Sequence, residues 1–189
     1  MKTKYFLAAA LAAVIAAALG FAAVHWPRAG TGSAETGGSL AAATTTAPAS
    51  GAVAQLLSTP LRDVAGHPQT LARYQGHVLV VNFWASWCGP CVAEMPELVR
   101  LNDDYGRKGI QFVGIGVDSP QNVRNFLKKV PVDYPILVSG FGGTDLARSL
   151  GNAAGALPFT VVIDANGVVR STKLGQITPA ELSKTLDAL

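Results

Sequence analysis

From Tyr5 to Val24 the chain runs through twenty uncharged residues rich in Ala, Leu, Val, Ile and Phe, about the length that crosses a hydrocarbon core as a helix. Residues 28 to about 52 are then almost wholly Gly, Ser, Thr, Ala and Pro, which bury too little apolar surface to offset ordering entropy. From Val53 onward, continuous β-branched runs alternate with amphipathic stretches. His77 to Trp84 (HVLVVNFW) has the pattern of a strand buried on both faces. Gly89 to Arg107 reads as a long helix whose apolar face is Val92, Met95, Leu98, Val99 and Leu101. Ile110 to Val117 is a second buried strand, and Gln121 to Val130 a helix announced by Ser119 and Pro120. Tyr134 to Val138 is extended, and Asp145 to Leu150 forms a short helix. Thr160–Ile163 and Val168–Thr172 flank an Asn166-Gly167 hairpin signal. Pro179 to Leu189 closes the chain as a helix, with Thr178 and Glu181 in capping-box register. With strand-like pieces around Leu61 to Leu71, the pattern predicts an α/β sandwich whose sheet has a parallel and an antiparallel portion.

Lys2 and Lys4 precede the apolar segment, and the positive-inside tendency puts the N-terminus in the cytoplasm and the rest outside. Residues 1–27 therefore read as an uncleaved anchor. The alternative is a secretory signal cleaved near Ala16, Ala17 and Ala18, which would leave a soluble periplasmic protein. No cysteine near the segment's end supports lipid attachment. Residues 28–55 read as a flexible linker and 56–189 as the folded domain. A tether of this composition reaches roughly 25 to 30 Å.

The composition of 49% hydrophobic and 14% charged residues reflects the N-terminal segment and excludes disorder of the whole chain. Without Lys2 and Lys4, the 15 basic residues become 13 against 12 acidic. That balance does not indicate a nucleic-acid surface. No phosphate-cradling glycine motif occurs. The three histidines, His25, His67 and His77, have no spacing that suggests a metal triad.

Candidate chemistry concentrates on the two cysteines. Trp87-Cys88-Gly89-Pro90-Cys91 sits where a buried strand gives way to a helix. The helix N-terminus favours a Cys88 thiolate, while Cys91, three residues on, faces the interior. Cys88 would attack a partner's disulfide and Cys91 would resolve the mixed disulfide. An inert disulfide is the alternative, but so short a loop removes little chain entropy.

Val80 to Cys91 (VVNFWASWCGPC) resembles the thioredoxin superfamily, and the continuation through Val92-Ala93-Glu94-Met95-Pro96-Glu97-Leu98 resembles its membrane-tethered branch of TlpA-, ResA- and CcmG-like thiol-disulfide oxidoreductases. Val113–Asp118, Leu157-Pro158-Phe159-Thr160 and Val162-Ile163-Asp164 extend the similarity. The resemblance implies a thioredoxin-like three-layer α/β/α sandwich with a mixed central sheet after a transmembrane helix. It also implies a cis-proline at Pro158 facing the dithiol, and a thiol-tuning glutamate at Glu94. Asn82 stands where cytoplasmic thioredoxins carry a buried aspartate. Trp87, Gly89, Pro90, Leu157 and Phe159 would form the substrate surface, Phe159 replacing a threonine common in relatives. No cofactor or metal is implied beyond the redox-active Cys88–Cys91 pair.

The implied protein is a periplasmic reductase of partner disulfides, such as those of apocytochrome c or copper-site cysteines. It would be held in the inner membrane and recharged by a DsbD/CcdA-like donor. Two alternatives use the same fold or thiols. A Cu(I)-handling protein would bind through soft sulfur, although no nearby His or Met ligand is evident. A peroxiredoxin-like peroxidase would need a PxxxTxxC motif, which is absent.

Overall fold

A computed structural model describes residues 50–189. The apolar segment and most of the linker lie outside the described residues. The chain forms α1 (Ser50–Ser58), β1 (Leu61–Asp63), β2 (Pro68–Gln69), β3 (Leu79–Trp84), α2 (Gly89–Gly106), β4 (Gln111–Gly116) and α3 (Pro120–Leu127). It continues through β5 (Ile136–Val138), α4 (Gly143–Ser149), β6 (Phe159–Ile163), β7 (Val169–Leu174) and α5 (Pro179–Leu186). The strands make one sheet in the order β2-β1-β5-β4-β3-β6-β7. β3, β4 and β5 are parallel to one another and the other pairings are antiparallel. This is the expected mixed sheet.

β3 organises both cores because successive side chains on a strand point to opposite faces. Leu79, Val81 and Phe83 join a core with Leu56 of α1 and Leu146 of α4. Val80 and Trp84 join the other, with Met95 and Leu98 of α2, Val123 of α3 and Leu182 of α5. The sheet is therefore covered on both faces, giving three layers. Gly114 of β4 is required by packing: a methyl group there would lie 2.5 Å from Ile136 Cδ1 and 3.2 Å from Trp84 Nε1.

The helix ends follow their sequence signals. Ser119 caps α3 through the Asn122 N–H, and Thr178 with Glu181 completes the capping box of α5. The Asn166-Gly167 turn forms with Gly167 at φ 77°. Its preceding Asp164 accepts from the Asn166 and Val168 N–H groups and from Arg170 Nε.

The linker end expected at residue 55 is corrected. Ser50–Ser58 is helical, and Ala52, Val53 and Leu56 are buried in the α4-side core. The bland composition around Ser50 concealed this, whereas three apolar residues at helical spacing supply enough surface to dock one short helix. Val53, Ala54 and Leu57 also line a cavity of about 240 Å³ with His77, Ile163 and Gly167, where β3 starts and β6 ends. Leu56→Ala should lower stability by about 2–5 kcal/mol in urea unfolding, the cost of truncating a core leucine. A change within about 0.5 kcal/mol, the range of ordinary surface substitutions, would mean that α1 does not pack as described.

Candidate active site

After β3 the loop Ala85–Trp87 delivers Cys88 to the position just ahead of α2 as its N-cap, with φ −89° and ψ 102°. Cys88 Sγ accepts the Cys91 N–H at 3.3 Å. Cys88 and Cys91 form a disulfide with their Cα atoms 5.3 Å apart. The first turn of α2 holds no acidic residue, so the helix dipole and the free N–H groups act unopposed to favour a thiolate at Cys88. Cys88 keeps 6% exposure and Cys91 none, so Cys88 is the more accessible of the two. Gly89 and Pro90 are exposed beside it. A side chain at Gly89 would meet nothing within 4 Å, so glycine there leaves the approach to sulfur open. Trp87 stands 66% exposed immediately ahead of Cys88.

The Leu157–Pro158 bond is cis. β6 runs antiparallel to β3 with Phe159 paired to Phe83, next to the last residue of β3. Leu157 and Pro158 consequently lie at the end of the sheet that carries the dithiol. Leu157 is half-buried and packs against both cores, including the one that holds Cys88 and Cys91. The substrate contact expected of the Phe159 side chain is corrected. Phe159 is only 2% exposed and its ring centroid lies 6.0 Å from that of Phe83. Strand alternation turns it into the core although its neighbour Pro158 bounds the site.

The same alternation places Asn82, between Val81 and Phe83, on the α2 side of the sheet. There Asn82 Nδ2 donates to Glu94 Oε1 at 2.8 Å and to Thr160 Oγ1 at 3.0 Å. Thr160 is the direct cross-strand partner of Asn82. The Ile177 N–H donates to Glu94 Oε2 at 2.9 Å. Glu94 is 0% exposed, so it is not a solvated helix glutamate. It lies one turn after Cys91 on the same helix face, at a spacing that puts Cβ atoms about 5–6 Å apart. Burial pushes the Glu94 carboxyl above its ordinary value, and the bonds from Ile177 and Asn82 offset this only in part. Asn82 suits either protonation state: its NH₂ donates to a carboxylate, and a half-turn of the amide presents an oxygen that accepts the acid's proton. The arrangement is a buried carboxyl with a raised affinity for its proton, on the helix that carries both cysteines.

Sequence reasoning quoted Asp118 in the Val113–Asp118 stretch without giving it a role. It is 2% exposed, just past the end of β4. Its Oδ2 accepts the Ser86 hydroxyl at 2.6 Å and the Ser86 N–H at 3.1 Å. Its Oδ1 accepts the Ser119 N–H at 2.7 Å and Asn122 Nδ2 at 2.8 Å. Burial raises its pKa, but these bonds more than offset that and hold the carboxyl below the ordinary range. Asp118 thus clamps the loop two residues before Cys88 to the start of α3. Ser86→Ala removes one bond and keeps the fold, so it should slow disulfide exchange about three- to tenfold with little change in melting temperature. An unchanged rate in stopped-flow exchange with a disulfide peptide would show that the clamp does not position the dithiol.

The Redoxin family profile matches residues 42–189. The chain is 31% identical over 132 residues to the thiol-disulfide oxidoreductase ResA of Geobacillus kaustophilus, covering 68% of this chain and 72% of that protein. It is 33% identical over 117 residues to the thiol:disulfide interchange protein HelX of Rhodobacter capsulatus, covering 60% of this chain and 61% of that protein. Among solved structures, a thioredoxin-related protein from Neisseria meningitidis serogroup B superposes with a TM-score of 0.61 at 34% identity, covering 68% of this chain and 96% of that one. With a buried-strand-to-helix dithiol and a cis-proline at the same end of the sheet, the chain belongs to the Redoxin family, in the ResA- and CcmG-like part of the thioredoxin superfamily, and is a protein thiol-disulfide oxidoreductase.

Proposed function

We propose that the protein reduces disulfides of partner proteins in the periplasm, held at the inner membrane by residues 1–27. The observation that carries the chemistry is the asymmetry of the two sulfurs: Cys88 caps a helix and retains exposure, while Cys91 is wholly buried one turn before a buried glutamate. The Cys88 thiolate attacks one partner sulfur, forming the mixed disulfide and expelling the other partner sulfur as a thiolate, which takes a proton from water. Cys91 then gives its proton to Glu94 or water and attacks Cys88 Sγ. The Cys88–Cys91 disulfide forms, the second partner thiolate leaves, and two electrons have passed to the partner. Pro158 and Leu157 bound the surface on which the partner chain lies, and Trp87 flanks its approach.

Substrates such as apocytochrome c or copper-site cysteines, and a DsbD/CcdA-like membrane donor that re-reduces the pair, fit this reading. The relatives' names as thiol-disulfide oxidoreductase and thiol:disulfide interchange protein support the reaction class. The reductant direction rests on the resemblance to relatives in which a WCGPC motif usually accompanies a low potential.

Cys88→Ser should abolish insulin reduction, and Cys91→Ser should accumulate a mixed disulfide whose attached protein mass spectrometry identifies. Full activity of both variants would end the dithiol reading. Equilibration with glutathione tests the direction, since about 30 mV is tenfold for a two-electron couple. A potential near about −120 mV, the range of a strong oxidant, would reverse it.

Glu94 adds a pH test. Its folded-state pKa is raised, so its contribution to stability is fully present below the unfolded value of about 4.3 and is lost as pH rises through the folded one. Glu94→Gln in the oxidised protein should therefore gain stability relative to wild type between pH 4 and pH 8. A gap independent of pH would show that Glu94 ionises as freely as in the unfolded chain.

A further inference from the structure

The loop ahead of the dithiol opens onto a groove. Ser86 sits in a turn closed by the Cys88 N–H, which donates to Ala85 O at 3.1 Å, so its backbone is two residues from that of the reactive cysteine. Beside it lies a hollow of about 240 Å³ lined by Ser86, Asn122, Asn125, Phe126 and Lys129. The last four stand at i, i+3, i+4 and i+7, one stripe along a helix. They belong to α3 and to the turn after it, where the Lys129 N–H donates to Phe126 O at 2.9 Å. At 1.5 Å per residue the stripe is about 10 Å long. Its near end is tied to the dithiol loop through Asp118, which accepts from Ser86 on one oxygen and from Asn122 on the other. Half-buried Phe126 joins it to the interior: its ring centroid lies 5.0 Å from that of Trp84, whose core also holds Cys88 and Cys91. The groove is therefore continuous with the site.

Its charge is one-sided. From Ser119 to Val132 the chain carries Arg124, Lys128 and Lys129 and no acidic residue. All three are exposed, and none forms an ion pair among the described residues. Arg124 and Lys128 border a separate hollow with Val64, so Lys129 is the cation that lines this one. Asp118 is buried beneath the near end and saturated by four donors, which leaves the far end positive. Between the ends lie two amides with unused valence. Asn122 Nδ2 is taken by Asp118, and Asn125 Oδ1 accepts from Gln121. The Asn122 oxygen and the Asn125 NH₂ have no partner among the described residues, an acceptor and a donor of the kind an extended backbone requires.

We propose that this groove receives the partner's cystine-bearing segment in extended form, and that Lys129 pairs there with a carboxylate side chain about five residues from the cysteine that Cys88 attacks. The inference rests on the dithiol-exchange reading and gives the partner an acidic flank. The spacing follows from two residues of loop between Cys88 and Ser86, at most about 7 Å, and the stripe of about 10 Å, crossed by a chain rising about 3.3 Å per residue.

The test compares the full chain with Lys129→Glu on four oxidised substrates. Three are disulfide-linked peptides identical except for Glu, Gln or Lys five residues from the cysteine. The fourth is hydroxyethyl disulfide, neutral and too short to reach Lys129. Wild type should prefer the Glu peptide to the Gln peptide by about two- to fivefold in kcat/KM, through KM, the scale of one exposed ion pair. That preference should vanish in 1 M salt, where charges are screened beyond about 3 Å. Lys129→Glu should prefer the Lys peptide instead and reduce hydroxyethyl disulfide at the wild-type rate. Equal wild-type rates on the Glu and Gln peptides would overturn the inference. So would a ranking that the variant leaves unchanged, or an equal loss on all four substrates, which is what a lysine serving only the helix C-terminus would give. Failure of wild type to reduce any of the four would instead overturn the dithiol reading, and the role of the groove with it.

Discussion

The structure depends on a strand that is dry on both sides. β3 is buried along its whole length, and its alternation hands every second side chain to a different core. That arrangement leaves no freedom of register, because a slip of one residue would exchange the contents of the two cores. The strand's end is therefore a fixed point. Cys88, four residues beyond Trp84, inherits that fixity through a loop that is hydrogen-bonded at Cys88 N and at Ser86. The chemistry is precise because the scaffold beneath it has one way to pack.

Two buried carboxylates flank this point, and neither has a cation within ion-pair distance among the described residues. Their carboxyls shift in opposite directions. Asp118 receives four hydrogen bonds and keeps its charge; Glu94 receives two and holds its proton more tightly. Glu94 is the more deeply enclosed and has fewer donors, and both count, since each bond to the ionised form offsets part of the cost of leaving water. One group is thereby a structural clamp with a constant charge. The other, Glu94, is a buried carboxyl that holds its proton more tightly than in water.

Much of this was readable from the residues. The HVLVVNFW run, the Ser119 and Thr178 caps and the Asn-Gly turn carry local physics strong enough to survive without tertiary context. The placement of the cysteines at a strand-to-helix junction followed from the same periodicity. What was hidden depends on neighbours distant in the chain. Glu94 was singled out by the resemblance, but its burial was not legible, since Asn82 and Ile177 N, which enclose it, lie 12 and 83 residues away. Phe159 borrowed a surface role from adjacent Pro158, but a strand separates neighbours to opposite sides. Helix α1 was lost in a stretch of small residues whose composition matches a tether, because only its docking partners distinguish the two. The Ser86–Asp118 bond spans 32 residues, and no local signal announces it.

Helix α1 also sets the end at which the first described residues join the domain. Val53 and Ala54 sit by the Gly167 turn and the start of β3, whereas Cys88 lies beyond the other end of that strand, about 20 Å away at the rise of a six-residue strand. Helix α1 thus lies at the heel of the domain, and the reactive sulfur at its toe. The two ends of β3 are therefore divided in use: one is closed by a packed helix, and the other is left open at the cysteine.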